Sequence, residues 1–367
     1  MTRFARHLEH HTIVNPFPGI VKLEAALGHR IKTRIGSNES LPDPVSPLAG
    51  EFGKALAELA RLYPDPYAHA LRQRAAALNG VSADEVLFDT GADSLILLGL
   101  RLSCNAGDAV VTTGGSYPTF RYFAEGVGAR VLEVPYLTQG DRLQPDLKRL
   151  AEVARVEHAS VLYLANPDNP TGHYWQADDI RALREALPLH TLLLLDEAYV
   201  DFCTEAEDAP PAGPLPNTLR LRTLSKAYAM AGMRVGYAIA PAQLIAKADQ
   251  IRPQFALSSV AQAAAQIVLD DPDYSRRLIS HTLTLRHHLS HELYDLGLTP
   301  LPSHTNFVSV PYADPMQAEA IQRHLLTHGI AIHRPQHPAT RHLLRITAHP
   351  QATSSRVLNA LAGQLEP

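Results

Sequence analysis

Two cysteines in 367 residues, Cys104 and Cys203, are too few for a disulfide framework. Cys104 follows an apolar stretch and Cys203 a strand end. Both read as inert thiols, which favours a reducing compartment and a cytoplasmic location. Long apolar runs are scarce as well. The longest purely aliphatic strand run is Leu192–Leu195, far short of the roughly 20 residues a membrane helix needs. The first twenty residues hold no apolar stretch of a secretory signal. Neither sign of charge dominates: 33 Lys and Arg against 37 Asp and Glu leave a formal net charge of −4. That makes no case for nucleic acid or an anionic membrane as partner. No internal repeat and no Gly-x-Ser-x-Gly elbow occur. Gly126-Val127-Gly128-Ala129 lacks the third glycine of a dinucleotide fingerprint. His287 and His291 stand one helical turn apart beside Glu292, a spacing that suits a metal. Leu278, Leu285, Leu289 and Leu296 mark the buried stripe of that helix, which turns the histidines to solvent. No metal is expected.

What is present is an ordinary globular composition, 46% hydrophobic and 19% charged. A chain of this length fits one large domain and a smaller one. From about residue 82, strand-like and helix-like segments alternate. Short apolar strands at Val86-Leu87-Phe88, Ala109 to Thr112, Arg130 to Val134, Ser160 to Ala165, Thr191 to Leu195, Thr218 to Leu224 and Val235 to Ala240 are separated by helical patterns such as Leu95 to Leu102, Pro145 to Val156 and Ala177 to Leu187. Nearly continuous apolar strands between helices predict an α/β fold, a mainly parallel sheet sandwiched by helices.

After residue 241 the pattern changes to α+β. Pro241 opens a helix, Ser258 to Leu269 reads as a second, and Asp273 to Leu296 as a long third ended by Gly297. A strand at Asn306 to Val310 and a helix ending at His328, capped by Asp314, come next. Strands at Ile330 to His333 and Leu343 to Thr347 and a helix at Ala352 to Leu365 complete the pattern. The expected division is an N-terminal segment, 1–40, packing on the small domain, a large domain over 41–270, and a small α+β domain over 271–367. The N-terminal stretch, with Pro42, Pro44 and Pro47, reads as irregular.

Several residues could carry chemistry. Lys226 follows an apolar strand at the start of a helical pattern, where desolvation or nearby cations make a lysine nucleophilic; it could equally be a solvated helix-start lysine. Asp196 ends the Leu192–Leu195 strand, where open α/β sheets place ligands; it could pair with a protonated ring nitrogen or cap the next turn. Tyr199 could donate to a cofactor oxygen or simply pack. Asn166-Pro167-Asp168-Asn169-Pro170-Thr171-Gly172 is a rigid turn that could aim the Asn169 amide into a cleft. Gly91-Ala92-Asp93-Ser94, between strand and helix, suits a phosphate, although Asp93 could cap the helix instead. Thr223, Ser225 and Arg234 would add hydroxyls and a positive charge to that anion. Arg345 lies inside the strand Leu343 to Thr347 and needs a partner there, either a substrate carboxylate or a structural salt bridge. Arg334, before Pro335, could reach a second anion.

Taken in order, these pieces carry a resemblance. Ser37-Asn38-Glu39, Arg61-Leu62-Tyr63-Pro64, Thr90-Gly91-Ala92-Asp93, Pro118-Thr119-Phe120, Asp168 to Gly172, Asp196-Glu197-Ala198-Tyr199, Thr223-Leu224-Ser225-Lys226, Gly232 to Gly236 and Leu344-Arg345-Ile346-Thr347 are similar to motifs of the pyridoxal-phosphate aminotransferases of the aspartate aminotransferase superfamily. Within it the chain resembles the histidinol-phosphate aminotransferases, from about Asn38 to the C-terminus. The resemblance implies a seven-stranded large-domain sheet and pyridoxal 5'-phosphate as cofactor. It implies that Lys226 bonds the cofactor and moves the reaction's proton, Asp196 pairs with its ring nitrogen, and Asn169 and Tyr199 bind its ring oxygen. Phe120 would stack on the ring, a position usually held by Tyr in that family. Gly91, Ala92, Asp93, Thr223, Ser225 and Arg234 would hold the phosphate, and Tyr63 would reach the phosphate of a second subunit in a homodimer with shared sites. Arg345 would clamp the substrate α-carboxylate and Arg334 a substrate phosphate, with Asn38 also at the substrate. The implied activity is transfer of an amino group from an amino donor, with histidinol phosphate leading, to a 2-oxo acid such as 2-oxoglutarate, in amino-acid biosynthesis. A transaminase for another amino acid and a phospho-amino-acid decarboxylase on the same scaffold share the cofactor residues.

Overall fold

The computed structural model describes residues 5–9, 12–17, 20–41, 46–50, 52, 55–203 and 209–364. The central element is a seven-stranded sheet. After β1 (Thr33–Arg34), its strands in chain order are β2 (Val86–Asp89), β3 (Ala109–Thr113), β4 (Arg130–Val134), β7 (Val161–Ala165), β8 (Leu192–Asp196), β9 (Thr218–Thr223) and β10 (Gly236–Ile239). A hairpin of β5 (Tyr136–Gln139) and β6 (Arg142–Pro145) interrupts the series. The spatial order is β2-β10-β9-β8-β7-β3-β4. β10 runs antiparallel to both neighbours, and the other pairings are parallel.

The all-apolar strands follow from burial on both faces. Side chains alternate along a strand. In β7 and β8, Val161, Tyr163, Ala165, Leu192 and Leu194 enter one core, while Leu162, Leu164, Leu193 and Leu195 enter another on the opposite face. Four consecutive leucines are therefore two leucines for each helical layer. The helix Gly91–Ser103 packs into the first core, and the helices Leu147–Val156 and Ala177–Ala186 into the second.

The C-terminal part builds a third core. β11 (Phe307–Pro311) pairs antiparallel with β13 (Leu343–Thr347), and β12 (Ile330–Ala331) pairs in parallel with β1 from the N-terminal segment. Ile35, just after β1, is buried among Val308, Leu344 and Ile346. The helix Pro272–Asp295 serves two cores: Tyr274 and Leu278 pack with the large sheet, Leu289 and Leu293 with β11 and β13.

Some expectations need correction. The N-terminal stretch is not irregular throughout, for it contains the helices Ile20–Leu27, Ala55–Arg61 and His69–Asn79. β1 has only two residues, and its partner lies near the other end of the chain, so nothing local announces it. Pro145 ends β6 rather than opening a helix; Asp146 caps the helix that follows, accepting from the Arg149 amide at 2.9 Å. The last helix is broken into a 3-10 turn, Pro350–Thr353, and a helix, Ser355–Leu361. Lys226 sits in a turn and not in a helix. Pro42, Pro44 and Leu365 lie outside the described residues.

Candidate active site

A cavity of about 700 Å³ opens beyond the C-terminal ends of β7, β8 and β9 and is closed on the other side by residues 331–336 and by β13. That is where an open α/β sheet gathers its strand ends and its ligands. Asn38, Ala92, Asp93, Asn169, Asp196, Tyr199, Thr223, Ser225, Lys226, Arg234, Arg334 and Arg345 all line it.

Asp196 forms the floor. Its Oδ2 accepts from the Tyr163 hydroxyl at 2.7 Å and its Oδ1 from the Ala198 amide at 3.0 Å. Burial pushes its pKa up to about 6 against those two bonds, with Asp93 and Glu197 adding to the rise. A buried carboxylate facing a cavity in this state favours a cationic partner. Lys226 stands in the turn after β9, and its Nζ donates to the Asn38 carbonyl at 3.0 Å. Desolvation, then the charges of Arg345 and Arg234, bring its pKa down to about 8, so a useful fraction is neutral amine near physiological pH. Asn38 itself is tied by its side chain to the Tyr199 and Thr347 hydroxyls, both at 3.0 Å.

Arg345 is buried in β13. Its Nη1 donates to Asn169 Oδ1 at 2.5 Å and its Nη2 to the Gly36 carbonyl at 2.7 Å. Its Nε has no partner and no carboxylate faces it among the described residues, so the structural salt bridge left open by the sequence is not there. Burial alone lowers its pKa, which leaves a desolvated guanidinium poised for an anion. Asn169 is fixed by its turn, in which buried Asp168 accepts from Ser116, Tyr136 and Thr171 hydroxyls at 2.7, 2.8 and 2.7 Å.

The anion cradle lies at the start of the helix Gly91–Ser103. A Cβ on Gly91 (φ +83°) would meet the Arg234 guanidinium at 2.7 Å, and one on Gly236 would meet the Gly91 carbonyl carbon at 2.8 Å and the Ala92 nitrogen at 2.9 Å. Only glycines allow the strand, the helix start and Arg234 to close this tightly. Gly91 shapes the cradle without lining the cavity. Thr223 Oγ1 donates to Ser225 Oγ at 2.9 Å, and Arg234 Nη1 donates to the same oxygen at 3.4 Å. Helix N–H groups, two hydroxyls and a guanidinium make a phosphate-sized cup. Asp93 does not fill it: its carboxylate accepts from the Tyr117 hydroxyl at 2.9 Å and pairs with Arg234 at 3.6 Å.

Two expected residues are placed elsewhere. Phe120 is fully buried in the sheet core, stacked on Tyr163 at 4.7 Å, and does not reach the cavity. The helix Pro118–Gly126 turns Phe120 inward and leaves Tyr117, its N-cap residue, at the cavity. An aromatic residue directly before a helix-opening proline was the available signal. Tyr63 is 84% exposed on the outer surface, against Phe255 at 4.9 Å, and takes no part in this chain's own cavity. Arg334 does line the cavity but is already paired with Glu319 at 3.0 Å. The apolar roof, Phe17, Ile20 and Leu23, comes from the segment before β1 and was not anticipated.

Class I and II aminotransferases match this chain over residues 30–361. The chain belongs to that family. It is similar to histidinol-phosphate aminotransferase 2 of Caulobacter vibrioides, 34% identical over 95% of this chain and 90% of the relative. It is similar also to histidinol-phosphate aminotransferase 2 of Carboxydothermus hydrogenoformans, 31% identical over 96% of both. Among solved structures, the histidinol-phosphate aminotransferase of Sinorhizobium meliloti in complex with pyridoxal-5'-phosphate superposes with a TM-score of 0.88 at 36% identity, covering 100% of this chain and 97% of that one.

This aminotransferase uses pyridoxal 5'-phosphate. The cradle closed by Gly91 and Gly236, the buried Asp196 and the desolvated Lys226 fit its phosphate, its ring nitrogen and its aldehyde. When bound, the cofactor acts as an electron sink for the carbanion formed at the substrate's Cα. Among the described residues no helix is long and apolar enough to cross a membrane.

Proposed function

We propose that this aminotransferase moves the amino group of histidinol phosphate to 2-oxoglutarate, as a cytoplasmic homodimer in amino-acid biosynthesis, with an N-terminal segment, a large domain and a small C-terminal domain divided near residues 40 and 270. The two guanidiniums of the cavity wall, Arg345 and Arg334, carry the substrate reading. Histidinol phosphate bears a phosphooxymethyl group, a phosphate monoester on a methylene, where an amino acid has its carboxylate. Donor phosphate and acceptor carboxylate then take turns at Arg345, with Arg334 adding positive potential to the wall. The names of the relatives point to the same substrate.

Each residue has a task. Lys226, neutral in part near pH 8, takes the proton from the substrate's Cα. Asp196 holds the ring nitrogen cationic, and Asn169 and Tyr199 hold the ring oxygen. Ala92, Asp93, Thr223, Ser225 and Arg234 hold the cofactor phosphate. Tyr117, which lines the cavity, would pack against the cofactor ring in place of Phe120. Asn38 tethers Lys226 and Tyr199 to β13. Tyr63 completes the phosphate site of the other subunit.

Steady-state kinetics with histidinol phosphate and 2-oxoglutarate test this directly. Parallel reciprocal plots are expected. Arg334→Ala raises KM for histidinol phosphate about tenfold, the scale of one partly offset charged hydrogen bond, with little change in cofactor affinity. An unchanged KM removes Arg334 from the substrate site.

A further inference from the structure

His333 lines the cavity beside Arg345. Several polar groups there already hold partners: Asn38 with Tyr199, Asn169 with Arg345 and Arg34 with Glu39, while Glu319 partly offsets Arg334. The imidazole of His333 has no hydrogen-bond partner among the described residues. Its place is set by the backbone. His333 N donates to the Arg345 carbonyl at 3.2 Å and Arg345 N donates to the His333 carbonyl at 2.8 Å, an antiparallel bridge. Residues opposed in this way send their side chains to the same face, with Cβ atoms about 4.5–5.5 Å apart. Arg345 lines the cavity, and His333 lines it beside Arg345. Burial, then the charge of Arg345, hold the imidazole well below its ordinary pKa. It is neutral at pH 7, with one N–H to give and one nitrogen to accept.

The two anions that visit Arg345 differ in their needs. A carboxylate is a planar fork with two oxygens, which one guanidinium can satisfy. A phosphate monoester has three terminal oxygens and nearly two charges. Arg345 has already given an N–H of Nη1 to Asn169 and one of Nη2 to Gly36. A phosphate at Arg345 has oxygens left for a further donor even with Arg334 in the wall, and His333 stands on the Arg345 side. We propose that His333 donates a hydrogen bond to the phosphate held at Arg345 and makes this subsite prefer a phosphate monoester to a carboxylate. The inference rests on the reading that the anionic end of the amino donor lies at Arg345.

The test uses the cofactor-loaded enzyme with two amino donors, histidinol phosphate and histidine, and with inorganic phosphate as a competing anion. His333→Leu lowers the ratio of kcat/KM for histidinol phosphate over histidine by about 10- to 100-fold, the range for leaving one such bond unmade. It raises the inhibition constant of phosphate by a similar factor. His333→Asn, which keeps an N–H, recovers most of both. A purely structural role moves the two donors in parallel and leaves the ratio where it was, which overturns the proposal. Should the unaltered enzyme turn over no histidinol phosphate, the substrate reading fails by itself. The phosphate inhibition constant then still decides the role of His333, and equal values in the unaltered enzyme and His333→Leu end it.

Discussion

Asp196 and Lys226 were legible in the sequence because each stands at the end of a strand whose burial the sequence declares. Four leucines lead into Asp196, and Leu219 and Leu221 lead towards Lys226. The physics that tunes them was only partly legible: burial acts first, and Arg345, which also lowers the lysine, and Tyr163, which bonds the aspartate, are distant in the chain, whereas Arg234 lies only eight residues past Lys226. Tyr117 and Phe120 show the opposite limit. Both are aromatic and lie three apart, and only the direction of the helix start decides which one meets the cavity. Asp196 yields a pH prediction. Its folded pKa, about 6, lies above the ordinary 3.8. The proton it holds therefore stabilises the cofactor-free fold fully below about pH 4, and that stability is lost as pH rises through about 6. The size is on the order of 3 kcal/mol. Thermal melts of the cofactor-free protein from pH 4 to 7 should show this loss, and Asp196→Asn should remove it. Equal slopes for the two proteins contradict the burial argument.

At the scale of elements, the strands of the main sheet were the most legible part, since burial on both faces leaves an all-apolar signature. The hairpin β5–β6 was not legible, because half of its residues are exposed and its sequence shows no such signature. Two-residue strands such as β1 and β12 exist only through their partners. The proposed cofactor cradle is an element-scale feature, the contact of β10 with the start of the helix Gly91–Ser103. Gly236 permits that contact, and Gly236→Ala puts a methyl group 2.8 Å from backbone that cannot retreat without moving the helix. The expected result is a cofactor dissociation constant raised by about tenfold or more, from overpacking of roughly 1–3 kcal/mol. Titration with pyridoxal phosphate, followed by absorbance, measures it. Unaltered affinity means the helix start does not hold the phosphate.

For the whole molecule, the helix that begins just after residue 270, Pro272–Asp295, belongs to two cores. The outer surface carries an apolar cluster in which Tyr63, 84% exposed, packs on Phe255, with Leu62 and Tyr67 also exposed. Surfaces of this kind usually meet a partner, and a second copy with Tyr63 at the neighbouring phosphate site is the proposed one. Sedimentation should give a dimer, and Tyr63→Ala with Phe255→Ala should weaken both the dimer and cofactor retention. A fully active monomer contradicts shared sites.

The central claim is that Lys226 and the wall around Arg345 carry out amino transfer from histidinol phosphate. Its most direct test is a single half-reaction. Cofactor-loaded enzyme is mixed with histidinol phosphate in the absence of any 2-oxo acid, and the cofactor's absorbance is followed. The account predicts stoichiometric conversion to the amino form of the cofactor, reversed by 2-oxoglutarate, and no conversion in Lys226→Ala. An absorbance that histidinol phosphate leaves unchanged, while another amino donor converts it, contradicts the substrate claim; conversion in Lys226→Ala at the unaltered rate contradicts the mechanism.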